Sequence, residues 1–338
     1  MKPTASLIII LLLLTLTASA QTAPRAPQPP QQPRVEEDAE EGAEDGAEQS
    51  PERTLAVEPD AVVNLCLKSG SVVVRGWDKR ELRVRAEAEH VELRPAGVVG
   101  VQKQVKNVDV WVADSDDAES VAGVCMGSGN VEIDLPRGAT LILKLRSGDI
   151  DVSDLAEAHF QSMSGDTDVR RVTRAVDIEN VSGSISLSDS SGRVRLLGIS
   201  GDVDVSNVRP ASAADPFSAK TTSGSVNLDR VTHSRVEAGT VSGDVNVTST
   251  GALARDGSYD FKTFSGDVTL TLPADASFKL NATVATGGEI STDFIVKSDK
   301  GAQPLAELSQ GRLNGTVGND GAQVNLSSFN GSLRLKKR

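Results

Sequence analysis

Apolar and polar residues alternate in short bursts along most of the chain, and nearly every burst follows a Ser-Gly pair. Clear copies read Ser147-Gly148-Asp149-Ile150-Asp151-Val152, Ser164-Gly165-Asp166-Thr167-Asp168-Val169, Ser182-Gly183-Ser184-Ile185-Ser186-Leu187 and Ser200-Gly201-Asp202-Val203-Asp204-Val205. Further copies begin at Ser223, Ser242 and Ser265, with weaker ones near Gly288 and Gly331 and an early one at Ser69-Gly70. Glycines 148, 165, 183 and 201 are 17, 18 and 18 residues apart, and the gaps onward to 224, 243 and 266 are 23, 19 and 23. A period near twenty residues marks one supersecondary unit stacked on its neighbours.

Two and four places after the glycine stand β-branched or aliphatic residues, such as Ile150 and Val152, or Val203 and Val205. Seven and five places before it the pattern recurs, as in Leu141 and Leu143 or Val176 and Ile178. Each repeat therefore contains two apolar-x-apolar strands of period two. A lone apolar residue follows each strand, Val181 or Val241 on one side and Leu155 or Val208 on the other. Ser191-Gly192, nine residues after Gly183, fits as the second corner of the same turn.

The expected fold is all-β: a flattened β-solenoid, or β-helix, of coils of about 18–23 residues. Two parallel sheets would face each other across a core of Val, Ile and Leu. Parallel stacking explains why each position keeps one residue class through many repeats. Glycines 148, 165, 183, 192, 201, 224, 243 and 266 are the expected structural corners, where a tight bend needs positive φ. The domain is expected over residues 54–338, with main repeats at 127–338. Residues 78–126 interrupt the repeat and read as strands that flank or cap the N-terminal end.

The N-terminus changes the picture. Lys2, an apolar run at residues 7–14 and Ala18-Ser19-Ala20 have the layout of a signal peptide over residues 1–20. The run falls short of the roughly 20 residues a membrane span needs, so no transmembrane segment is expected after cleavage; a retained anchor is the alternative. Residues 21–53 are Pro-rich and then acidic, which predicts a disordered linker. Nine acids against three arginines give that segment 3 − 9 = −6, half of the chain's net −12. So acidic a chain is a poor partner for nucleic acid.

Several segments together carry a resemblance: Gly70-Ser71-Val72-Val73-Val74-Arg75-Gly76-Trp77-Asp78, Asp134-Leu135-Pro136-Arg137-Gly138, the Ser-Gly-Asp-Val repeats, and Phe329-Asn330-Gly331-Ser332-Leu333-Arg334-Leu335. In their order along residues 54–338 they resemble the bacterial DUF4097 family of adhesin-like proteins with β-solenoid-like repeats. The long linker and the two cysteines depart from that pattern. The resemblance implies an exported envelope or surface protein, and it brings no catalytic residues to carry over.

Three pieces of chemistry are legible. Cys66 and Cys125 each lie four residues before a Ser-Gly glycine, one shared register position. If the two turns are neighbours, their Cα atoms come within disulfide range, and an exported protein is oxidised. If the 59-residue separation keeps the turns apart, they are two unpaired thiols on an outward column. Asp149, Asp151, Asp166, Asp168, Asp202 and Asp204, continued by Asp244 and Asp267, form a weak candidate calcium ladder. Ser184, Ser186, Arg193 and Arg195 interrupt it, so turn-capping is the favoured role.

The third piece is catalysis of the β-helix polysaccharide-lyase or hydrolase type, with loops 209–217 and 251–258 as its cleft. Carboxylates are abundant, but His90, His159 and His233 sit in no catalytic or metal-ligand spacing. Trp77, Trp111 and Tyr259 are the few aromatics available to a sugar, and Trp77 reads as packing over the end of the coil. No catalytic residue, cofactor or resident metal is therefore assigned. The sequence points to an exported, non-catalytic structural or interaction protein of the cell envelope, in the periplasm, at the surface or secreted. Its extended faces would bind a protein or polysaccharide component, and the carbohydrate-active enzyme is the alternative.

Overall fold

The protein is seen in a computed structural model that describes residues 52–88, 90–96, 104–113, 125, 127–298, 301–302, 311–319 and 321–338. The expected signal peptide, linker residues 21–51, and residues 97–103 and 114–124 of the flanking segment lie outside the described residues. All that follows concerns the compact unit Glu48–Arg338.

Alternation becomes strand as the pattern requires. In Ala175–Ser182, Val176, Ile178 and Asn180 point inward while Asp177 and Glu179 remain half-buried. Equivalent strands pair in parallel, one repeat apart: Ile150, Thr167, Ile185 and Val203 form one continuous inward column. Such registry stacks like on like, and burying each Val, Leu or Phe contributes roughly 1.5–3 kcal/mol. Phe160, Phe217, Phe261 and Phe278 are the largest fully buried side chains.

The first ladder runs Val131–Pro136, Val72–Trp77, Ile150–Ser153, Thr167–Arg170, Ile185–Ser188 and onward to Val268–Leu272, Leu333–Lys337 and Ile290–Thr292. The second runs Val105–Ala113, Glu52–Ser69, Thr140–Ser147, Glu157–Ser162, Ala175–Ser182 and onward to Ser258–Ser265, Ala322–Asn330 and Phe278–Thr286.

The expected open solenoid or β-helix of two separate parallel sheets is corrected here. Among the described residues both ladders belong to one 28-stranded sheet, nearly closed on itself in the manner of a barrel. The strand Glu52–Ser69 joins them. Its residues 52–56 pair antiparallel with Glu81–Ala86, whereas its later residues pair in parallel with Val105–Ala113 and Thr140–Ser147. Antiparallel strands also occur at both ends: His90–Ala96 lies on Val105–Ala113, and Arg312–Val317 lies on Phe278–Thr286. The repeat specifies register and inward face but carries no instruction for edges. Open edges expose unpaired backbone groups, and these joining strands cover them.

Both terminal segments are tucked one rung inside the sheet. Ala322–Asn330 hydrogen-bonds to Ser258–Ser265 on one side and to Phe278–Thr286, an earlier segment, on the other. Glu52–Ser69 is likewise held between Val105–Ala113 and Thr140–Ser147.

Candidate interaction surface

Parity along the strand that enters each Ser-Gly corner decides what faces water. The residue three before the glycine points inward and the residue two before points outward. The outward set is Met163, Val181, Ile199, Val241, Phe264 and Phe329, which remain 42–55% exposed. Val181 and Ile199 precede the paired Ser182 and Ser200, and Val241 and Phe264 precede the paired Ser242 and Ser265. The Phe264 and Phe329 rings stack with centroids 4.6 Å apart and planes 2° from parallel. Thr222 interrupts this apolar stripe between Ile199 and Val241.

The lone apolar residues on the other side behave in the opposite way: Leu155, Val172 and Val208 are fully buried. Asp154, Arg171 and Asn207, each just before one of them, have φ of 63°, 54° and 56°. A left-handed residue inserts a kink that reverses the alternation. No such residue precedes the Ser-Gly corner, so its apolar neighbour is left in water. Sequence reading found both sets but had no signal to separate them.

A groove of about 510 Å³ opens beside the stripe, walled by Val241, Phe264 and Phe329. Gly239 makes the space, since it stands in register between Lys220 and Lys262 without a side chain. Both lysines reach Glu237 Oε1, at 2.7 and 3.0 Å. The Lys220 hydrogen bond, reinforced by Lys262, holds the Glu237 carboxyl below the usual carboxylate range.

Beneath the stripe runs a polar ladder that sequence reading missed. Thr221, Thr240, Thr263 and Ser328 donate their hydroxyls to the carbonyls of Gly201, Gly224, Gly243 and Gly266 at 2.9–3.1 Å. Asn180 donates its side-chain Nδ2–H to the Gly165 carbonyl at 3.0 Å. Its signal was a polar residue recurring at an inward position, three before the corner glycine.

The corner glycines 148, 165, 183, 192, 201, 224, 243 and 266 all have positive φ. At Gly192, the second corner, an added Cβ would lie 1.9 Å from the Arg174 carbonyl oxygen. The candidate calcium ligands make contacts within the sheet. Asp149 accepts the N–H of Asp166, Asp166 that of Ser184 and Asp202 that of Ser225, at 2.7–2.9 Å. Asp151 and Asp168 flank Arg170 at 2.6 and 3.5 Å, and Asp204 accepts Asn227 Nδ2. Among the described residues no group of three His, Cys, Asp or Glu is placed to hold a metal. Cys66 and Cys125 are joined as a disulfide, with Cα atoms 4.9 Å apart.

The acids and histidines of the enzyme alternative do not converge. A hollow of about 220 Å³ is lined by His159, Asp177, Glu179 and Arg195. Arg195 bonds both carboxylates at 2.8 Å, which raises its own pKa, and His159 Nε2 lies 3.4 Å from Glu157 Oε2. His233 is fully buried, and its Nε2 lies 2.7 Å from the Gly192 carbonyl. The aromatics are occupied as well: Arg94 covers Trp111, Lys79 and Arg83 flank Trp77, and the Tyr259 hydroxyl accepts the Ala254 N–H.

Among the described residues no helix is long and apolar enough to cross a membrane. No curated protein matches the chain. Three solved structures are similar over 86% of it. One is a candidate cell adhesion protein from Clostridium sporogenes, 11% identical, covered in full, TM-score 0.26. The others are candidate adhesins from Bacteroides fragilis (11% identical, 98% covered, TM-score 0.41) and Parabacteroides merdae (7%, 97%, 0.37). Likeness at that level carries no functional argument. The family described as Toastrack DUF4097 matches residues 64–336. The chain belongs to the DUF4097 family.

Proposed function

We propose that this protein is an exported, non-catalytic interaction protein of the bacterial cell envelope, which binds a surface component along the outward face of its second ladder. One observation carries the reading: six half-exposed apolar side chains at the same outward position of successive rungs. Scattered exposed apolar residues are ordinary, but a line of them over successive rungs, broken once at Thr222, marks an interaction site. The signal-peptide layout of residues 1–20 and a disulfide between Cys66 and Cys125 both suit an oxidising compartment outside the cytoplasm.

The test is site-specific photocrosslinking in the native host. A photoreactive residue at Val241 is expected to capture an envelope component, whereas one at Asp151, on the first ladder, is not. Equal capture at the two sites, or none at either, would remove the stripe from the account.

A further inference from the structure

The second corner, built around Gly192, carries a line of arginines. Arg193 and Arg235 stand at one register position, in the column Glu157, Ala175, Arg193, Pro216, Arg235 and Ser258. Arg174 and Arg209 lie in the corner itself. The Arg174 carbonyl accepts the Arg193 N–H, and the Arg209 carbonyl accepts the Gly192 N–H, both at 3.0 Å. Four successive rungs thus bring one arginine each, all exposed. At about 4.8 Å per rung the line is roughly 14 Å long.

The surroundings leave this charge unanswered. Elsewhere in the fold arginines meet carboxylates, as Arg83 meets Asp134, Arg171 meets Asp154 and Arg195 meets Asp177. Among the described residues Arg193, Arg209 and Arg235 have no hydrogen-bond or ion-pair partner. Arg174 reaches Glu157 Oε1 at 3.4 Å. The other carboxylates of this corner are held by other donors. Asp215 accepts the N–H groups of Ala211 and Ser212 at 3.0 and 2.7 Å, and Asp189 accepts Asn207 Nδ2 at 2.9 Å. The chain has 47 acids against 35 Lys and Arg, so the line does not stand unpaired for want of acids.

We propose that this line binds a linear polyanion, an acidic polysaccharide bearing carboxylate, phosphate or sulfate on its repeats. A guanidinium grips such oxyanions with two parallel N–H donors and stays charged at every working pH. Between the arginines stand Ala175, Pro216 and Ala213-Ala214, which offer no competing charge. The cations follow one edge of the sheet rather than spreading over a face, which suits a polymer strand better than a membrane surface. Arg193 opens the strand that Ile199 nearly closes, six residues or about 20 Å away. The line is therefore separate from the apolar stripe, and the proposal does not rest on it. Salt should weaken the contact, because exposed charges are screened over about 8–10 Å.

The test is fluorescence anisotropy of labelled oligogalacturonate and dextran sulfate, each long enough to span the line, with protein recovered from an exporting host. At least one is expected to bind in a salt-dependent way, while neutral maltodextrin does not. Arg193→Gln with Arg235→Gln is expected to weaken binding at least about tenfold. It should also make the log–log salt dependence shallower by about two, with the circular dichroism unchanged. The control is Lys144→Gln with Arg146→Gln, which removes the same charge from two cations that likewise have no side-chain partner among the described residues. That variant should bind as the wild type does. Failure of both polyanions to bind, or an equal loss in the two variants, would overturn the proposal. So would binding confined to phosphatidylglycerol vesicles, which would assign the line to a membrane.

Discussion

The carboxylate of Asp202 accepts the backbone N–H of Ser225 at 2.7 Å, tying one Ser-Gly corner to the next. The same bond recurs from Asp149 to Asp166 and from Asp244 to Asp267. The Asp that follows the corner glycine is thus a rung-to-rung cap.

Removing one cap should cost about 1–2 kcal/mol, because a backbone donor loses a charged acceptor at a partly solvated edge. Thermal unfolding of Asp202→Ala should show that loss, and Asp202→Asn should recover much of it. Calcium and chelator should give wild-type melting temperatures that coincide. A calcium-dependent rise that Asp202→Ala abolishes would make the ladder a metal site instead.

Gly183→Ala should be far more damaging than its neighbour Ser182→Ala. Gly183 has φ of 119°, and an added Cβ would sit 2.2 Å from the Gly165 carbonyl oxygen. Backbone strain of that kind costs about 1–3 kcal/mol before any clash is counted. An exposed serine is expected to change stability by less than about 0.5 kcal/mol. Urea unfolding of the two variants measures the difference, and equal midpoints would mean that the corner tolerates a side chain.

The pairing of Cys66 with Cys125 closes a 59-residue loop. In the chain-entropy account such a bridge stabilises the fold by about 4 kcal/mol. Reduction, or the double change Cys66→Ser with Cys125→Ser, should lower the unfolding midpoint accordingly. Thiol alkylation should add mass only after reduction; alkylation of the untreated protein would show that the thiols are free.

His233 gives the stability a pH dependence of definite sign. Burial pushes its pKa below the ordinary 6.5, so the unfolded chain binds the proton more readily than the folded one. Stability is then fully present above about pH 6.5 and falls as pH drops from there toward the folded pKa. Asp267 adds a second window lower down. The Ser332 N–H, with Arg334, holds its carboxyl below 3.8, so that contribution is lost only as pH falls below about 4. Melting curves from pH 7 to pH 5 should decline for the wild type, and His233→Gln, less stable at pH 7, should decline less. Parallel declines would assign the slope to other groups.

Much of this fold was legible. Alternation at Ile150 and Val152 gave the inward faces, and Ser-Gly gave the corners. Other features were not legible, for identifiable reasons. Strand order at the ends was hidden because Ala322–Asn330 carries the same register signal whether it stacks last or slips inside Phe278–Thr286. The joining of both ladders by residues 52–56 was hidden because that pairing lies outside the repeat. The stripe was half visible: Val181 and Val241 stood out as lone apolar residues, but only the left-handed turn at Asp154 and its equivalents shows which set faces water.

The central claim is that the stripe, rather than any pocket of catalytic groups, carries the function. Its most direct measurement is the fraction of protein that stays with the cell envelope after fractionation of the native host. Wild type is compared with Ile199→Asp plus Val241→Asp, and with a control altered at exposed positions of the first ladder. The account predicts that the stripe variant, folded by circular dichroism and exported in normal amount, is released from the envelope while the control is retained. Retention of the stripe variant at the wild-type level would contradict it.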